Sequence, residues 1–177
     1  MTRSNLEHII RAAGTIADDT DIVIIGSQAV LGQHPDAPAE LLISMEADVW
    51  PKTRPERTDM IDGSIGEGSP FQREFGYYAH GVDSTTAVLP RGWENRLVLV
   101  TGENTRKIRG WCLEPHDLAI SKLVAGRPKD LDFLGAMLQH RYIDASTLKA
   151  RLNETEMKAG IVESVRARLH RLVTGTL

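Results

Sequence analysis

The feature that most narrows what this chain can become is a pair of apolar segments with different rhythms, Asp21 to Ser27 and Ser44 to Trp50. Ile22, Val23, Ile24 and Ile25 form an unbroken β-branched run that stops at Gly26-Ser27, the signature of a buried strand ending in a tight turn. A short helical piece is expected over Gln28 to Leu31, followed by a break between Pro35 and Pro38. In the second segment Met45, Ala47 and Val49 alternate with Ser44, Glu46 and Asp48. Side chains of a strand point to opposite faces in turn, so Glu46 and Asp48 must share one face. Two carboxylates so placed repel unless a cation lies between them, which suggests an oxygen-ligand site for a hard ion such as magnesium. The glycine turn before them adds backbone N–H groups able to face a phosphate.

The rest of the chain supplies a mixed sheet and a helical C-terminal part. Ser4 followed by Glu7 reads as a capping box, and Leu6, Ile9, Ile10, Ala13 and Ile16 recur at helical spacing, so a first helix is expected over about Asn5 to Ala17. Glu56 to Ile65 is a short helix candidate before the glycines at 63, 66 and 68. Phe75 to Val82, Thr86 to Leu89, Arg96 to Val100 and Ile108 to Leu113 are strand candidates, giving a mixed sheet of four to six strands. From Pro115 onward the pattern turns helical. Pro115 and Pro128 suit first helical positions, Gly126 a terminus, and Asp144 an N-cap for Ala145 to Leu152; a last helix is expected from about Glu156 to Leu172. The fold class is therefore α+β (α/β), a mixed sheet flanked by helices. Residues 1–113 form the core and 114–177 a helical portion packed on it within a single domain.

Two charges on apolar helix faces need a cause. Lys122 lies three and four residues from Ala119 and Leu118, and Asp130 lies four and seven from Leu134 and Met137. A buried charge is costly unless paired or ligating. Either the two pair with each other, or Asp130 with Arg127, or they line a cleft facing the acidic strand.

Gly26-Ser27 followed by Glu46-x-Asp48 resembles the signature of the polymerase-beta-type nucleotidyltransferase superfamily, a Gly-Ser turn and then two acids one residue apart. The run from Glu114 to Asp130 looks like the helical motif of its small prokaryotic branch, which includes families related to AbiEii-type toxins of toxin–antitoxin pairs. The resemblance spans roughly Ile22 to Leu138. It implies a nucleotidyltransferase fold and a magnesium-dependent enzyme using a nucleoside triphosphate (NTP). Glu46 and Asp48 become metal ligands and, with Lys122 and Asp130, catalytic candidates. Gly26, Ser27, Lys122, Arg127 and Lys129 become nucleotide-binding candidates. The acceptor implied is an RNA such as tRNA, a protein or a small molecule, with an antitoxin as a further partner and a homo-oligomer allowed. A nucleotidyltransferase-fold module that only binds a nucleotide or a protein is the alternative.

Two departures stand out. Glu46 occupies a place where the superfamily usually has Asp, and no acid stands in Arg96 to Val100 to provide the usual third carboxylate. Asp83, Glu67 and, as a non-acidic substitute, His80 are the candidates for that third ligand. The bulk numbers fit this picture without selecting it. A net charge of −3 does not advertise nucleic-acid binding, although Arg141 to Leu177 is locally rich in Arg and Lys. No apolar run approaches the ~18 residues of a membrane span. The N-terminus, with Glu7 and no long apolar stretch, is unlike a signal peptide, which points to the cytoplasm. The single cysteine, Cys112 between Trp111 and Leu113, rules out an internal disulfide and reads as a core thiol. Phe71, Phe75, Tyr77 and Tyr78 could stack a base or a partner, although core packing is the better explanation of them.

Overall fold

A computed structural model describes residues 1–175. The β-branched run becomes β1 (Asp21–Ile24), buried along its whole length at the centre of a five-stranded sheet. The alternating segment becomes β2 (Glu46–Pro51), antiparallel to β1 with Ile24 opposite Val49. Helix α1 (Arg3–Ala17) precedes them, burying Leu6, Ile9, Ile10 and Ala13, as its periodicity required. Its cap is Thr2, not Ser4. The Thr2 hydroxyl accepts from the Asn5 N–H, and Asn5 Oδ1 accepts from the Thr2 N–H, so the reciprocal box closes two residues earlier than Ser4 and Glu7 predict. Between β1 and β2 lie two 3-10 segments, Ser27–Gly32 and Ala39–Leu41.

β3 (Tyr78–Gly81) runs parallel to β2, and parallel neighbours need a crossover; α2 (Thr58–Ile65) and α3 (Pro70–Phe75) provide it. Phe75 to Val82 is therefore only partly a strand. Ser69 accepts from the Gln72 N–H, Pro70 occupies the first turn and Gly76 ends α3 in the left-handed region, so the aromatic residues at 71 and 75 belong to a helix. β4 (Val98–Val100) and β5 (Arg109–Cys112) are antiparallel, and β5 lies parallel beside β1, giving the order β3-β2-β1-β5-β4. Thr86 to Leu89 is not a strand. Asp83 Oδ1 accepts from both the N–H and the hydroxyl of Thr85, and the Asp83 carbonyl from the Thr86 N–H, which turns the backbone away from any sheet edge. Met45 also differs from expectation. It precedes β2 and is exposed, while Ala47 and Val49 point inward.

The described chain divides into two units: Met1–Thr86 with Arg96–Glu114, which holds the sheet, and Ala87–Asn95 with the chain from Pro115, which holds four helices. These are α4 (Pro115–Ala125), α5 (Pro128–Gln139), α6 (Ala145–Asn153) and α7 (Ala159–Thr174). α4 packs against the other three. Asp144 does cap α6, accepting from the Thr147 N–H, while α7 begins at Ala159 and so later than Glu156. The C-terminus of α4 is closed from α7: Arg168 Nη1 donates to the carbonyls of Leu123 and Val124, and its guanidinium fills the space where a Cβ on Gly126 would lie. Gly126 itself has φ +62.

Two glycines should thus respond with opposite sign. Gly126→Ala should cost about 1–2 kcal/mol, since it adds left-handed strain and displaces Arg168. Gly63→Ala, at an exposed position of α2 with open space around it, should be neutral or stabilising by up to about 1 kcal/mol. Denaturant melts of the two variants against the parent check the pair.

Candidate functional site

The parallel register of β2 and β3 builds the site. Glu46 lies opposite Tyr78 and Asp48 opposite His80, and the period of two puts all four side chains on one face of the sheet. Tyr78 donates its hydroxyl to Glu46 Oε2 at 2.9 Å. His80 Nδ1 lies 3.3 Å from Asp48 Oδ1 and 3.5 Å from Glu46 Oε1. One ligand atom from each of Glu46, Asp48 and His80 lies within 4.8 Å of the others. The backbone entering this face is also fixed: Ser44 Oγ accepts from the Glu46 N–H and donates to the Glu46 carbonyl. Of the candidates for a third ligand, it is His80 that joins the two acids. Asp83 is engaged in its own turn, and Glu67 is outside the group.

The charges on this face are in conflict. Burial, then hydrogen bonding and charge from Glu46, push the Asp48 carboxyl up to about 6, against the opposing pull of His80. Burial also raises Tyr78 to about 12, helped by its bond to Glu46. For His80 burial works against the charged ring, yet the carboxylates of Asp62, Asp48 and Glu46 together raise its pKa. Asp62 comes from α2, where its Oδ1 accepts from the Gly81 N–H at the end of β3. Such a cluster fits a divalent cation on the chemistry of its donors: two carboxylates and an imidazole converge, and added positive charge offsets the burial and the Glu46 charge that raise Asp48.

Gly26 stands beside this face for a steric reason. Its φ is −69, which any residue adopts, but a Cβ there would overlap Asp48 Oδ2. The Ile25 N–H donates to the Asp48 carbonyl, which draws the end of β1 close enough to impose that limit. Ser27 follows as the first residue of the 3-10 segment. The Gly-Ser turn and the acid pair, separated by 18 residues between Ser27 and Glu46, are thus brought together in the sheet unit.

The other sequence candidates lie in the helical unit. Asp130 is fully buried at the start of α5, and its carboxylate accepts from Lys122 Nζ at 3.1 Å and from Arg127 Nε at 2.6 Å. Lys122 is buried too, with its ammonium 4.6 Å from the centre of the Phe133 ring. Burial opposes charge on Asp130, and the two cations overcome it and lower its pKa. The residues thus form the internal ion pair that their spacing allowed. Arg127 has a side chain 59% exposed, and Lys129 is exposed. Asp117, also fully buried, is paired with Arg151. In the sheet unit Phe71, Phe75 and Tyr77 surround His8, while Tyr78 stands apart on Glu46. Tyr78 and Asp62 are the contributors that sequence reasoning missed. Tyr78 is recognisable only once β3 is paired with β2.

A family model described as "Nucleotidyltransferase of unknown function (DUF6036)" matches residues 4–173. No curated protein and no solved structure matches the chain. Among the described residues no helix is long and apolar enough to cross a membrane.

The electrostatic conflict has a measurable sign. Because the carboxyl of Asp48 is raised from 3.8 to about 6, ionising it costs the folded protein stability. The penalty is absent below about pH 4, grows through pH 6 and is complete above it. Asp48→Asn should therefore stabilise the metal-free protein by about 1–3 kcal/mol at pH 7.5 and have little effect at pH 4. Denaturant melts at the two pH values check this.

Proposed function

The chain belongs to this nucleotidyltransferase family, and on that premise we propose that it transfers a nucleotide from an NTP to a hydroxyl group, with a divalent cation held by Glu46 and Asp48. The observation that carries the proposal is the convergence of Glu46, Asp48 and His80 within 4.8 Å on one sheet face. Magnesium is the ion that the two carboxylates by themselves favour. When bound, the cation neutralises the phosphate oxygens and the charge that develops during transfer.

The chain's own residues have distinct parts. Glu46 and Asp48 anchor the cation, and Tyr78 orients Glu46 through its hydroxyl. Gly26 admits the Asp48 carboxylate, and the Gly26-Ser27 turn is proposed to meet the triphosphate. The acceptor hydroxyl gives up its proton to water and attacks the α-phosphorus in line, the bond to the β-phosphate oxygen breaks and pyrophosphate departs. Transfer of this kind depends on alignment and charge stabilisation more than on covalent help from the protein. Arg127 and Lys129 are proposed to meet phosphate charge. Lys122 and Asp130 are proposed to act chiefly by holding Arg127 and the start of α5. The acceptor is an RNA such as tRNA, a protein or a small molecule, since a shared fold does not choose among them.

A second reading has one specific observation in its favour. The position facing Asp48 across the sheet is His80 and not a third carboxylate, which suits a module that binds a nucleotide or a partner without turnover. Incubation with each α-labelled NTP and a divalent cation, followed by separation of cellular RNA, protein and small molecules, decides between them. Label should enter one of these fractions with the parent chain and fall at least 100-fold with Asp48→Ala. Equal labelling by both, or none with either, contradicts the enzymatic reading. Growth arrest on expression that needs Asp48 would extend that reading to a toxin.

A further inference from the structure

The proposed cation site has a third donor whose chemistry differs from the other two. Donor–metal bonds of about 2.0–2.2 Å set adjacent donors roughly 3.0–3.5 Å apart in octahedral or tetrahedral arrangements. His80 Nδ1 is 3.3 Å from Asp48 Oδ1 and 3.5 Å from Glu46 Oε1, so two edges of such a polyhedron are already in place. The backbone supports this placement. His80 is locked opposite Asp48 by the parallel ladder, and the Gly81 N–H that follows is held by Asp62. The third edge, between Glu46 and Asp48, lies within 4.8 Å and closes by rotation of the longer Glu46 side chain.

We infer that His80 ligates the cation through Nδ1, and that the resulting set of two carboxylates and one imidazole selects first-row transition dications over magnesium. Magnesium demands oxygen donors and near-ideal octahedral geometry, and it keeps much of its water. Imidazole nitrogen is a borderline donor that favours transition ions, whose affinities also follow their own rising order from manganese upward. One nitrogen among three protein donors thus strengthens transition-ion binding and gives magnesium little. The inference rests on the reading of Glu46 and Asp48 as metal ligands, and adds to it the identity of the third ligand and of the ion class. It also gives a role to the absent third acid: the position changes the ion preferred and does not abolish the site.

The test uses the full chain at pH 7.5 without nucleotide, with Mn2+ as the probe and Mg2+ as competitor. Free Mn2+ is read by its electron paramagnetic resonance signal, and bound Mn2+ by pulsed detection of a directly coordinated 14N nucleus. The parent should bind Mn2+ at least tenfold more tightly than Mg2+ and show the nitrogen coupling. His80→Asp should lose the coupling and lower the Mn2+ to Mg2+ preference at least tenfold, while Asp48→Asn should weaken both ions. His80→Ala, which introduces no new charge beside the acids, must lose the coupling as well. If binding disappears in Asp48→Asn but coupling is absent from the parent and the preference is unchanged in both His80 variants, the inference is overturned and the metal site of Glu46 and Asp48 stands. If the parent binds neither ion, or Asp48→Asn binds both as tightly as the parent, both the inference and the metal reading beneath it are overturned.

Discussion

The repulsion between Glu46 and Asp48 is the interaction around which the sheet unit is arranged. A strand period of two forces the acids to one face, and partial burial removes much of the water that would screen Asp48, which together with the hydrogen bond and charge of Glu46 raises its carboxyl to about 6. Neighbouring groups moderate this conflict without removing it. Tyr78 gives Glu46 a proton donor, His80 stands against both acids, and Asp62 holds the end of β3 in register. The absence of a side chain at residue 26 follows from the same crowding, because only glycine leaves room for Asp48 Oδ2. A face kept under such strain is poorly explained by stability and well explained by a cation.

The helical unit handles its buried charges differently. Asp130 is met by two cations, Lys122 and Arg127, and Asp117 is paired with Arg151. Buried pairs of this kind are neutral to mildly costly as a whole, and breaking one by removing a single partner leaves an uncompensated charge worth about 3–5 kcal/mol. Loss of function after truncating Lys122 or Asp130 therefore reports on folding as readily as on chemistry. The conflicted face on β2 and β3, which should gain stability when a carboxylate is neutralised, is where the two effects separate.

Much of this was legible in the sequence for identifiable reasons. β1 announced itself by four consecutive β-branched residues ending in Gly26-Ser27, and the shared face of Glu46 and Asp48 followed from period alone. The caps at Pro115, Pro128 and Asp144 located three helices. What was lost depended on partners distant in sequence. α3 was hidden because its aromatic residues suggested a strand, although Ser69, Pro70 and Gly76 mark a helix of 6 residues. Thr86 to Leu89 looked extended until the Asp83 side chain claimed the backbone of Thr85. His80 could be no more than one of three candidates, since only the parallel register of β3 on β2 decides that it faces Asp48 and that Tyr78 faces Glu46.

A divalent cation is proposed to resolve the conflict on this face. Crystals of the protein soaked in Mn2+ and measured on both sides of the manganese absorption edge address it directly. One anomalous peak is expected within about 2.0–2.4 Å of a carboxylate oxygen of Glu46 and of Asp48. A fully loaded soak with no peak on that face, and the two carboxylates unmoved, would contradict it.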